Sequence, residues 1–287
     1  MTSTTGSTPQ LASAVKRAAV ITHGKADTIG PVLDRLGTIA AEAGVELLVD
    51  ESEAAKHDLQ PADAELEAAD IALVLGGDGT MLRALARYLD TDVPVLGVNF
   101  GRVGFLSSIP RTELESGIAR VFAGDYRVVE LPTLEVEVGE EKLVAVNDLV
   151  IASGIVGRMI QLEWAIGGEA FGRLGCDGVV CSTPSGSTGY NFSNGGPVLV
   201  WGIDAMAVTF VAPHSLNARP VVVPRGSDLI VWNRTLDVPA TALIDGHPVV
   251  DLPPGGRALA HIGPQCSRLA TLPEVTFFSR YSRTFAS

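Results

Sequence analysis

Residues 71–80 read Ile-Ala-Leu-Val-Leu-Gly-Gly-Asp-Gly-Thr, and this stretch decides the first half of the fold. Its five apolar residues predict a buried strand of a parallel sheet. Three glycines, an aspartate and a threonine follow directly, and residues 81–89 then have the amphipathic pattern of a helix. A glycine-rich turn between a strand and a helix is where α/β proteins hold phosphate groups on free backbone N–H groups.

Asp78 is the one charged side chain in this turn. Because a carboxylate repels phosphate, we expect Asp78 either to take a proton from a hydroxyl group or to face a metal ion. The alternative is a tight turn in which Asp78 only hydrogen-bonds nearby backbone. The complete Gly-Gly-Asp-Gly-Thr sequence after a buried strand favours the functional interpretation. Neither a P-loop sequence nor a Gly-x-Gly-x-x-Gly after a strand occurs in the chain.

The pattern along the chain predicts two domains. Strand patterns at 18–22, 45–49, 71–75 and 94–99 alternate with helix patterns at 31–43, 61–69, 81–89 and 112–122, which indicates an open parallel sheet covered by helices. From Tyr126 on, short β-rich runs alternate with turn residues, which predicts an all-β, sandwich-like domain. We expect a disordered tail at 1–17, an α/β domain at 18–125 and a β-rich domain at 126–269. The C-terminal segment 270–287, which is aromatic and basic over residues 276–286, either packs back on the α/β domain or frays.

Composition narrows the possible partners. The chain has 287 residues, 46% of them hydrophobic and 19% charged, which is typical of a folded protein large enough for two domains. Its net charge of −12 repels nucleic acid and anionic membranes and so argues against both as partners. We find no apolar run long enough for a transmembrane helix and no signal-peptide pattern. The cysteines 176, 181 and 266 form no Cys-x-x-Cys pair, so we expect reduced thiols and a cytoplasmic location.

A second group of polar residues lies in the predicted β-rich domain. Residues 176–197 contain a dense run of small hydroxyl side chains, glycines and amides, headed by Asp177. Neutral donors and acceptors of this kind suit a sugar, an amide or a phosphate ester, although an ordinary Ser/Gly loop has the same composition. Asn147 and Asp148 interrupt an apolar run. Because buried polar groups are costly unless paired, they mark either a turn at a strand edge or a site that faces a bound ribose.

Taken together, these segments resemble the NAD kinase family. The resemblance runs in the family's order from about residue 18 to 280, and it rests on residues 76–80, 97–106, 147–148, 177–197, 214–220 and 245–246. Gly-Gly-Asp-Gly-Thr alone is shared with diacylglycerol, sphingosine and 6-phosphofructo-kinases, whereas the Ser/Thr/Gly loop with Asn-Asp upstream is more specific. A lipid or sugar kinase and a non-catalytic NAD-binding sensor are the alternatives.

The resemblance implies phosphorylation of the adenosine 2′-hydroxyl of NAD, which gives NADP. ATP, another nucleoside triphosphate or polyphosphate would be the donor, and Mg²⁺ or another divalent cation the cofactor. It implies that Asp78 is the proton acceptor. The implied phosphate- and nucleotide-binding residues are Gly76, Gly77, Gly79, Thr80, Phe105, Asn147, Asp148, Arg158, Asp177, Thr188, Gly189, Tyr190, Ser193 and His247. No protein ligand to a metal is assigned, and we expect a homodimer or homotetramer.

Individual roles follow from the same resemblance. The four residues around Asp78 would shape the phosphate turn, and Phe105 would lie against a base. Asn147 and Asp148 would hold the adenosine ribose, and Asp177 would meet the nicotinamide side. The segment from Thr188 to Ser193 would contact the second half of the dinucleotide.

Three positions depart from the family pattern. Asp148 stands where Glu is usual, Gly189 stands where Ala is usual, and residues 277–285 are less basic than the usual final segment.

Gly175, two residues before Asp177, bears on the choice between NAD and NADH. Because glycine offers neither charge nor bulk to separate the positive ring of NAD from the neutral ring of NADH, we expect NADH to be a second acceptor.

Overall fold

The structure is a computed structural model that describes residues 13–23, 26–57, 59–62, 65–100, 104–215 and 217–285. The chain forms two compact units. The N-terminal unit comprises Met1–Val129 and Arg268–Ser287, and the β unit comprises Glu130–Ser267. The C-terminal segment is therefore part of the N-terminal unit.

The described helices are α1 (Ala26–Ala43), α2 (Glu51–His57), α3 (Asp78–Arg87), α4 (Leu114–Phe122), α5 (Tyr190–Ser193) and α6 (Phe277–Phe285). Strands β1 (Arg17–Thr22), β2 (Glu46–Leu48), β3 (Ile71–Gly76), β4 (Val95–Asn99) and β5 (Ile109–Pro110) belong to the N-terminal unit. The β unit contains β6 (Arg127–Val138, from Glu130 on), β7 (Glu141–Ala145), β8 (Asp148–Ser153), β9 (Ile160–Ile166), β10 (Glu169–Cys176), β11 (Gly178–Ser182), β12 (Ala205–Val211), β13 (Val221–Pro224), β14 (Leu229–Asn233), β15 (Ala240–Ile244), β16 (His247–Leu252) and β17 (Arg257–Thr271, up to Ser267).

Parallel pairing orders the sheet of the N-terminal unit as β2-β1-β3-β4. Strand β5 lies parallel to β4, and Leu269 also pairs with Val95 of β4. From β1 the chain continues to β2 on one side, and from β3 it continues to β4 on the opposite side. The direction of the strand order therefore reverses between β1 and β3. Ligands of open α/β sheets bind outside the carboxyl ends of the strands at such a point. The glycine-rich turn begins there, at the end of β3.

One apolar cluster forms the core of this unit. It joins α1, the sheet and α4 through buried side chains such as Leu36, Leu73 and Ile118. Helix α3 buries Met81 and Leu85, and it is anchored to β3 and β4. Burying a side chain of this size contributes about 1.5–3 kcal/mol, so the turn that precedes α3 is held at both ends by packed elements.

The β unit is a sandwich of two sheets. Strands β13-β12-β11-β8-β15-β16 form one antiparallel sheet. Strands β10-β9-β14-β17 form the other, to which β6 and β7 are added. Buried residues of both sheets, among them Ile151, Val179, Leu162 and Val231, belong to one core cluster. The predicted fold class, a parallel α/β unit and an all-β sandwich, is confirmed.

Two local predictions differ from the structure. The predicted helix at 61–69 is wrong, because its described residues contain only the single 3-10 turn Leu66–Ala68. The sequence analysis missed α2, whose Glu-Ser-Glu-Ala-Ala-Lys-His sequence has no apolar periodicity. Instead, buried Glu53 accepts hydrogen bonds from Thr22 Oγ1 at 2.6 Å and from Lys56 Nζ at 2.7 Å.

The described part of the predicted tail at 1–17 begins at residue 13. Residues 1–12 of the predicted tail 1–17 lie outside the described residues. Val15, within the same range, is buried, and its N–H donates to the carbonyl of Phe122 at 3.0 Å, while Arg17 begins β1. Among the described helices, none is both long and apolar enough to cross a membrane.

Candidate active site

The glycine-rich turn connects β3 to α3 with Gly77 as the helix cap. The N–H groups of Thr80 and Met81 both donate to the carbonyl of Gly77 at 3.0 Å. A Cβ on Gly76 would lie 2.7 Å from Thr80 Oγ1, so a larger residue would force this turn open. The N–H groups of Asp78 and Gly79, the first two of α3, have no carbonyl partner within the helix, and the helix dipole favours negative charge there. The turn can therefore receive an anionic group such as phosphate.

Asp78 is the first residue of α3, and its carboxylate is held by backbone. Oδ2 accepts the N–H of Phe105 at 2.8 Å, and Oδ1 accepts the N–H of Leu106 at 3.1 Å. Burial raises the pKa of Asp78 above its usual range, although these two hydrogen bonds and the charge of Arg280 oppose the rise. A fixed carboxylate with a raised pKa is a better proton acceptor than an exposed aspartate.

Phe105 lies in the segment that holds Asp78, and its side chain is only 4% exposed. Its ring lies against Phe277 and Phe285 of α6, with centroid distances of 5.3 and 6.1 Å. The contact of Phe105 with a base therefore stays a prediction, because the residue is buried in this structure. Residues 101–103 of the same motif lie outside the described residues.

In the β unit, Asn147 lies in the turn between β7 and β8, and Asp148 begins β8. Asp245, between β15 and β16, accepts three backbone N–H groups of this turn. Its Oδ2 accepts Val146 N–H at 3.0 Å, and its Oδ1 accepts Asn147 N–H at 2.7 Å and Asp148 N–H at 3.1 Å. The sequence analysis treated residues 245–246 only as part of the family resemblance, because such a contact joins residues nearly a hundred positions apart.

The structure brings the Asn147 turn against the Ser/Thr/Gly loop. Thr183 N–H donates to the carbonyl of Asn147 at 2.8 Å, and Thr183 Oγ1 donates to the carbonyl of Val146 at 2.8 Å. A Cβ on Gly186 would lie 2.2 Å from the carbonyl oxygen of Asn147, so this contact requires glycine. The Asn147 turn and the Ser/Thr/Gly loop therefore form one structural feature.

Two buried polar atoms at this contact need a partner. Asn147 Oδ1 and Ser185 Oγ are buried without a hydrogen-bond partner among the described residues. An unpaired buried polar group costs about 1–3 kcal/mol, and a bound polar ligand would remove that cost. Asp148 is also buried, and burial together with the charge of Asp245 raises its pKa to about 7.

The predicted contacts at Thr188, Gly189, Tyr190 and Ser193 lie in the loop between β11 and β12. Thr188 is half-buried, and the other three residues are exposed. Buried Asn191, which the sequence analysis missed, ties the loop together: its Nδ2 donates to the carbonyls of Ser187 at 3.0 Å and Pro197 at 2.9 Å. Its Oδ1 accepts Thr209 Oγ1 at 2.7 Å. A short amide in a Ser/Gly-rich segment gave no pattern by which to identify this role.

The remaining predicted residues are exposed. Asp177 lies between β10 and β11, and its backbone pairs with Val211 and Ser153. His247 begins β16, and its charge lowers the pKa of Asp245 against the larger opposing effect of burial. Arg158 forms an exposed ion pair with Asp237 at 2.8 Å, so it already has an acidic partner.

The structure thus groups the predicted residues within each unit. Asp78 lies with the glycine turn and with Phe105 in the N-terminal unit, and Asn147 and Asp148 lie with the Ser/Thr/Gly loop in the β unit. Among the described residues, no group of three or more His, Cys, Asp or Glu side chains is placed to hold a metal ion. The donors present suit phosphate and a polar sugar or amide more than a metal bound by protein alone.

Comparisons with known proteins find matches to both halves of the chain. Residues 35–126 match the model of the ATP-NAD kinase N-terminal domain, and residues 146–271 match that of the ATP-NAD kinase C-terminal domain. An NAD kinase of Leifsonia xyli is 38% identical over 264 residues, which cover 89% of this chain and 84% of the relative. An NAD kinase of Bifidobacterium longum is 34% identical over 285 residues, which cover 95% and 82%.

Two solved structures have the same fold. An NAD kinase from Archaeoglobus fulgidus in complex with ATP matches 94% of this chain and 97% of its own, with a TM-score of 0.74 and 25% identity. The yeast NADH kinase complexed with NADH matches 95% and 88%, with a TM-score of 0.83 and 22% identity. With both domain models and relatives at these identities over most of its length, the chain belongs to the NAD kinase family.

Proposed function

We propose that this NAD kinase uses Asp78 to accept the proton of the adenosine 2′-hydroxyl of NAD while ATP supplies the phosphoryl group. The observation that supports the proposal is the position of Asp78. Its carboxylate is fixed by two backbone N–H groups at the start of α3, beside a glycine turn suited to phosphate.

ATP, NAD and Asp78 together account for every bond and proton of the transfer. A bond forms between the ribose 2′-oxygen and the terminal phosphorus, and the bond from that phosphorus to the bridging oxygen of ADP breaks. The hydroxyl proton passes to Asp78. Because phosphoryl transfer has a loose transition state, the carboxylate contributes at least as much by orienting the hydroxyl as by removing its proton. The glycine turn would bind the donor phosphate on backbone N–H groups, which add no negative charge.

The β unit would bind the dinucleotide. We propose that Asn147 Oδ1 and Ser185 Oγ, both buried without a protein partner among the described residues, find their partners in bound NAD. Asp148, adjacent in sequence, would contact the adenosine ribose. Thr188, Gly189, Tyr190 and Ser193 would contact the other half of the dinucleotide, and Asp177 the nicotinamide side.

A divalent cation fits this site as a companion of the nucleotide. Each oxygen of Asp78 already accepts one N–H, and the described residues offer no acidic or histidine cluster. Mg²⁺ is commonly held by one or two carboxylates together with the phosphates of the substrate. We propose Mg²⁺, bound mainly to the triphosphate, where it would offset phosphate charge.

We also propose a cytoplasmic location and a homo-oligomeric assembly. Among the described residues, Cys176, Cys181 and Cys266 form no disulfide, which fits the reducing cytoplasm. A homodimer or homotetramer is the assembly that we expect, and light scattering of the purified enzyme would measure it.

The decisive experiment compares Asp78→Asn with the unchanged enzyme and with Asp34→Asn, which alters an exposed aspartate of α1. We expect Asp78→Asn to lower NADP formation by at least about a hundredfold, the scale for losing a positioned base. NAD should still bind, as measured by calorimetry, and Asp34→Asn should keep its activity. Near-normal turnover by Asp78→Asn would reject the role of Asp78.

A further inference from the structure

Arg280 of α6 is completely buried, and the two terminal nitrogens of its guanidinium donate four hydrogen bonds. Nη1 donates to the carbonyls of Phe105 at 2.7 Å and Ser107 at 2.6 Å. Nη2 donates to Ser108 Oγ at 2.8 Å and to Thr271 Oγ1 at 2.9 Å. A buried charge is costly unless it is paired and hydrogen-bonded. These four hydrogen bonds offset that cost and allow Arg280 to be buried.

The bond to Phe105 matters because of the peptide group to which it belongs. The carbonyl of Phe105 and the N–H of Leu106 are the two ends of one peptide unit. Arg280 Nη1 binds its oxygen, and its N–H donates to Oδ1 of Asp78 at 3.1 Å. Hydrogen bonds in such a chain polarise one another in a low-dielectric interior. A rotation of this peptide plane would break the contact with Arg280 and the contact with Asp78 together.

We propose that Arg280 is a positioning residue for phosphoryl transfer, acting on Asp78 through the peptide unit between Phe105 and Leu106. This inference rests on the proposed role of Asp78 as proton acceptor. Helix α6 supports the same segment a second time, because Phe277 and Phe285 lie against the ring of Phe105. The C-terminal helix thereby takes part in the reaction without a side chain at the reacting atoms.

The charge of Arg280 also acts on the protonation of Asp78. The positive charge of Arg280 lowers the pKa of Asp78, against the larger effect of burial. Burial and the charge of Arg283 lower the pKa of Arg280 itself, Asp78 raises it, and Arg127 lowers it further. Loss of the guanidinium should therefore change both the orientation of Asp78 and the pH at which it loses its proton.

The two effects can be separated by three variants. Arg280→Lys keeps the positive charge, but one ammonium group cannot reproduce the fork that spans the backbone carbonyls and the two hydroxyls. Arg280→Met removes the charge as well. Arg283→Met is the matched control, because it removes a positive charge from an exposed position of the same helix. For each folded variant, kcat, the KM for NAD and the pH profile of kcat/KM are measured by NADP formation.

We expect Arg280→Lys to lower kcat by about tenfold, since small displacements of a catalytic group have effects of this size or more. Its KM for NAD should stay within about twofold of the unchanged enzyme, and the acidic limb of its pH profile should not move. In Arg280→Met the acidic limb should move to higher pH, and kcat should fall further than in the lysine variant. Arg283→Met should keep the kcat of the unchanged enzyme.

Several outcomes would overturn the inference. They are a normal kcat in Arg280→Lys, a rise in KM without a fall in kcat, an equal fall in Arg283→Met, or an unmoved acidic limb in Arg280→Met. If the methionine variant does not fold, the lysine variant decides the question through its kcat and KM. An active Asp78→Asn enzyme would reject the role of Asp78, whereas an inactive Asp78→Asn beside a normal Arg280→Lys would reject only the role of Arg280.

Discussion

Asp148 and Asp245 are joined by two reciprocal hydrogen bonds. The N–H of Asp148 donates to Oδ1 of Asp245 at 3.1 Å, and the N–H of Asp245 donates to the carbonyl of Asp148 at 3.0 Å. Asp245 has a positive φ of 50°, a backbone conformation that aspartate and asparagine adopt more readily than most residues. The Asp245 carboxylate accepts the N–H groups of residues 146–148, for which a neighbouring strand would otherwise supply backbone carbonyls.

Replacement of Asp245 should therefore destabilise the β unit. We expect Asp245→Ala to lower the free energy of unfolding by about 3 kcal/mol, because it leaves several backbone N–H groups without a partner. Asp245→Asn should cost less, since its amide oxygen can still accept and asparagine tolerates the positive φ. Urea unfolding measures both. Asp237→Ala, which removes only an exposed ion pair, is the control and should change stability by less than about 1 kcal/mol.

The raised pKa of Asp148 makes the stability of the β unit depend on pH. The pKa rises from 3.8 to about 7 on folding, through burial and the charge of Asp245. The folded state thus binds the proton more tightly, so this group stabilises the fold below about pH 4 and loses that contribution as the pH rises toward 7. Over that interval the loss is on the order of 4 kcal/mol as an upper bound.

The asparagine side chain of the Asp148→Asn variant cannot ionise. Between pH 4 and 7 the free energy of unfolding of this variant should therefore fall less than that of the unchanged enzyme. Urea midpoints across that pH range for both proteins test this expectation. Parallel curves would show that Asp148 does not titrate with a raised pKa in the folded state.

Asn147→Ala should weaken the binding of NAD more than that of ATP. The reason is that Asn147 Oδ1 is buried without a protein partner among the described residues, so its partner is expected in the dinucleotide. A hydrogen bond of this kind contributes about 1 kcal/mol, roughly a fivefold change in Kd. Calorimetric titration with each ligand separately measures the two effects. Equal weakening of both would indicate a general folding defect.

The sequence was informative where the signal is local. Buried strands such as β3 and β4 have continuous apolar runs, and the glycine turn with Asp78 has a recognisable order of residues. Helix α2 gave no such signal, because Glu53 is buried through polar bonds instead of apolar contacts. A hydrophobic pattern cannot reveal an element of this kind.

Long-range polar contacts could not be predicted from a single sequence. Arg280 lies 175 positions from Phe105, and nothing in the aromatic and basic C-terminal segment distinguishes a buried arginine from an exposed one. Asp245 and Asn191 are similar cases, because their roles depend on which backbone groups the fold brings to them. The family resemblance predicted which groups contact substrates, whereas the groups that hold those side chains in place required coordinates.

The enzyme should accept NADH as a second acceptor, with NAD preferred. Gly175 lies near the end of β10, and Asp177 follows at an exposed position. An acidic side chain near the ring favours the positive charge of NAD by about 1–4 kcal/mol, depending on the local dielectric. Because Gly175 itself carries neither charge nor bulk, NADH should not be excluded. Steady-state rates with both acceptors at fixed ATP measure the preference, and a lack of NADPH at enzyme levels that readily convert NAD would contradict the expectation.

A change of charge at Gly175 provides the sharper form of this prediction. A Cβ there would lie 2.9 Å from Met159 Sδ and 3.0 Å from Gln161 Nε2, the ends of flexible side chains that can move aside. Gly175→Arg would place a cation near the positive ring of NAD, so the ratio of kcat/KM for NAD to that for NADH should fall. Gly175→Gln, of similar reach but uncharged, should leave the ratio nearer to that of the unchanged enzyme. If both variants shift the ratio equally, bulk and not charge acts at position 175.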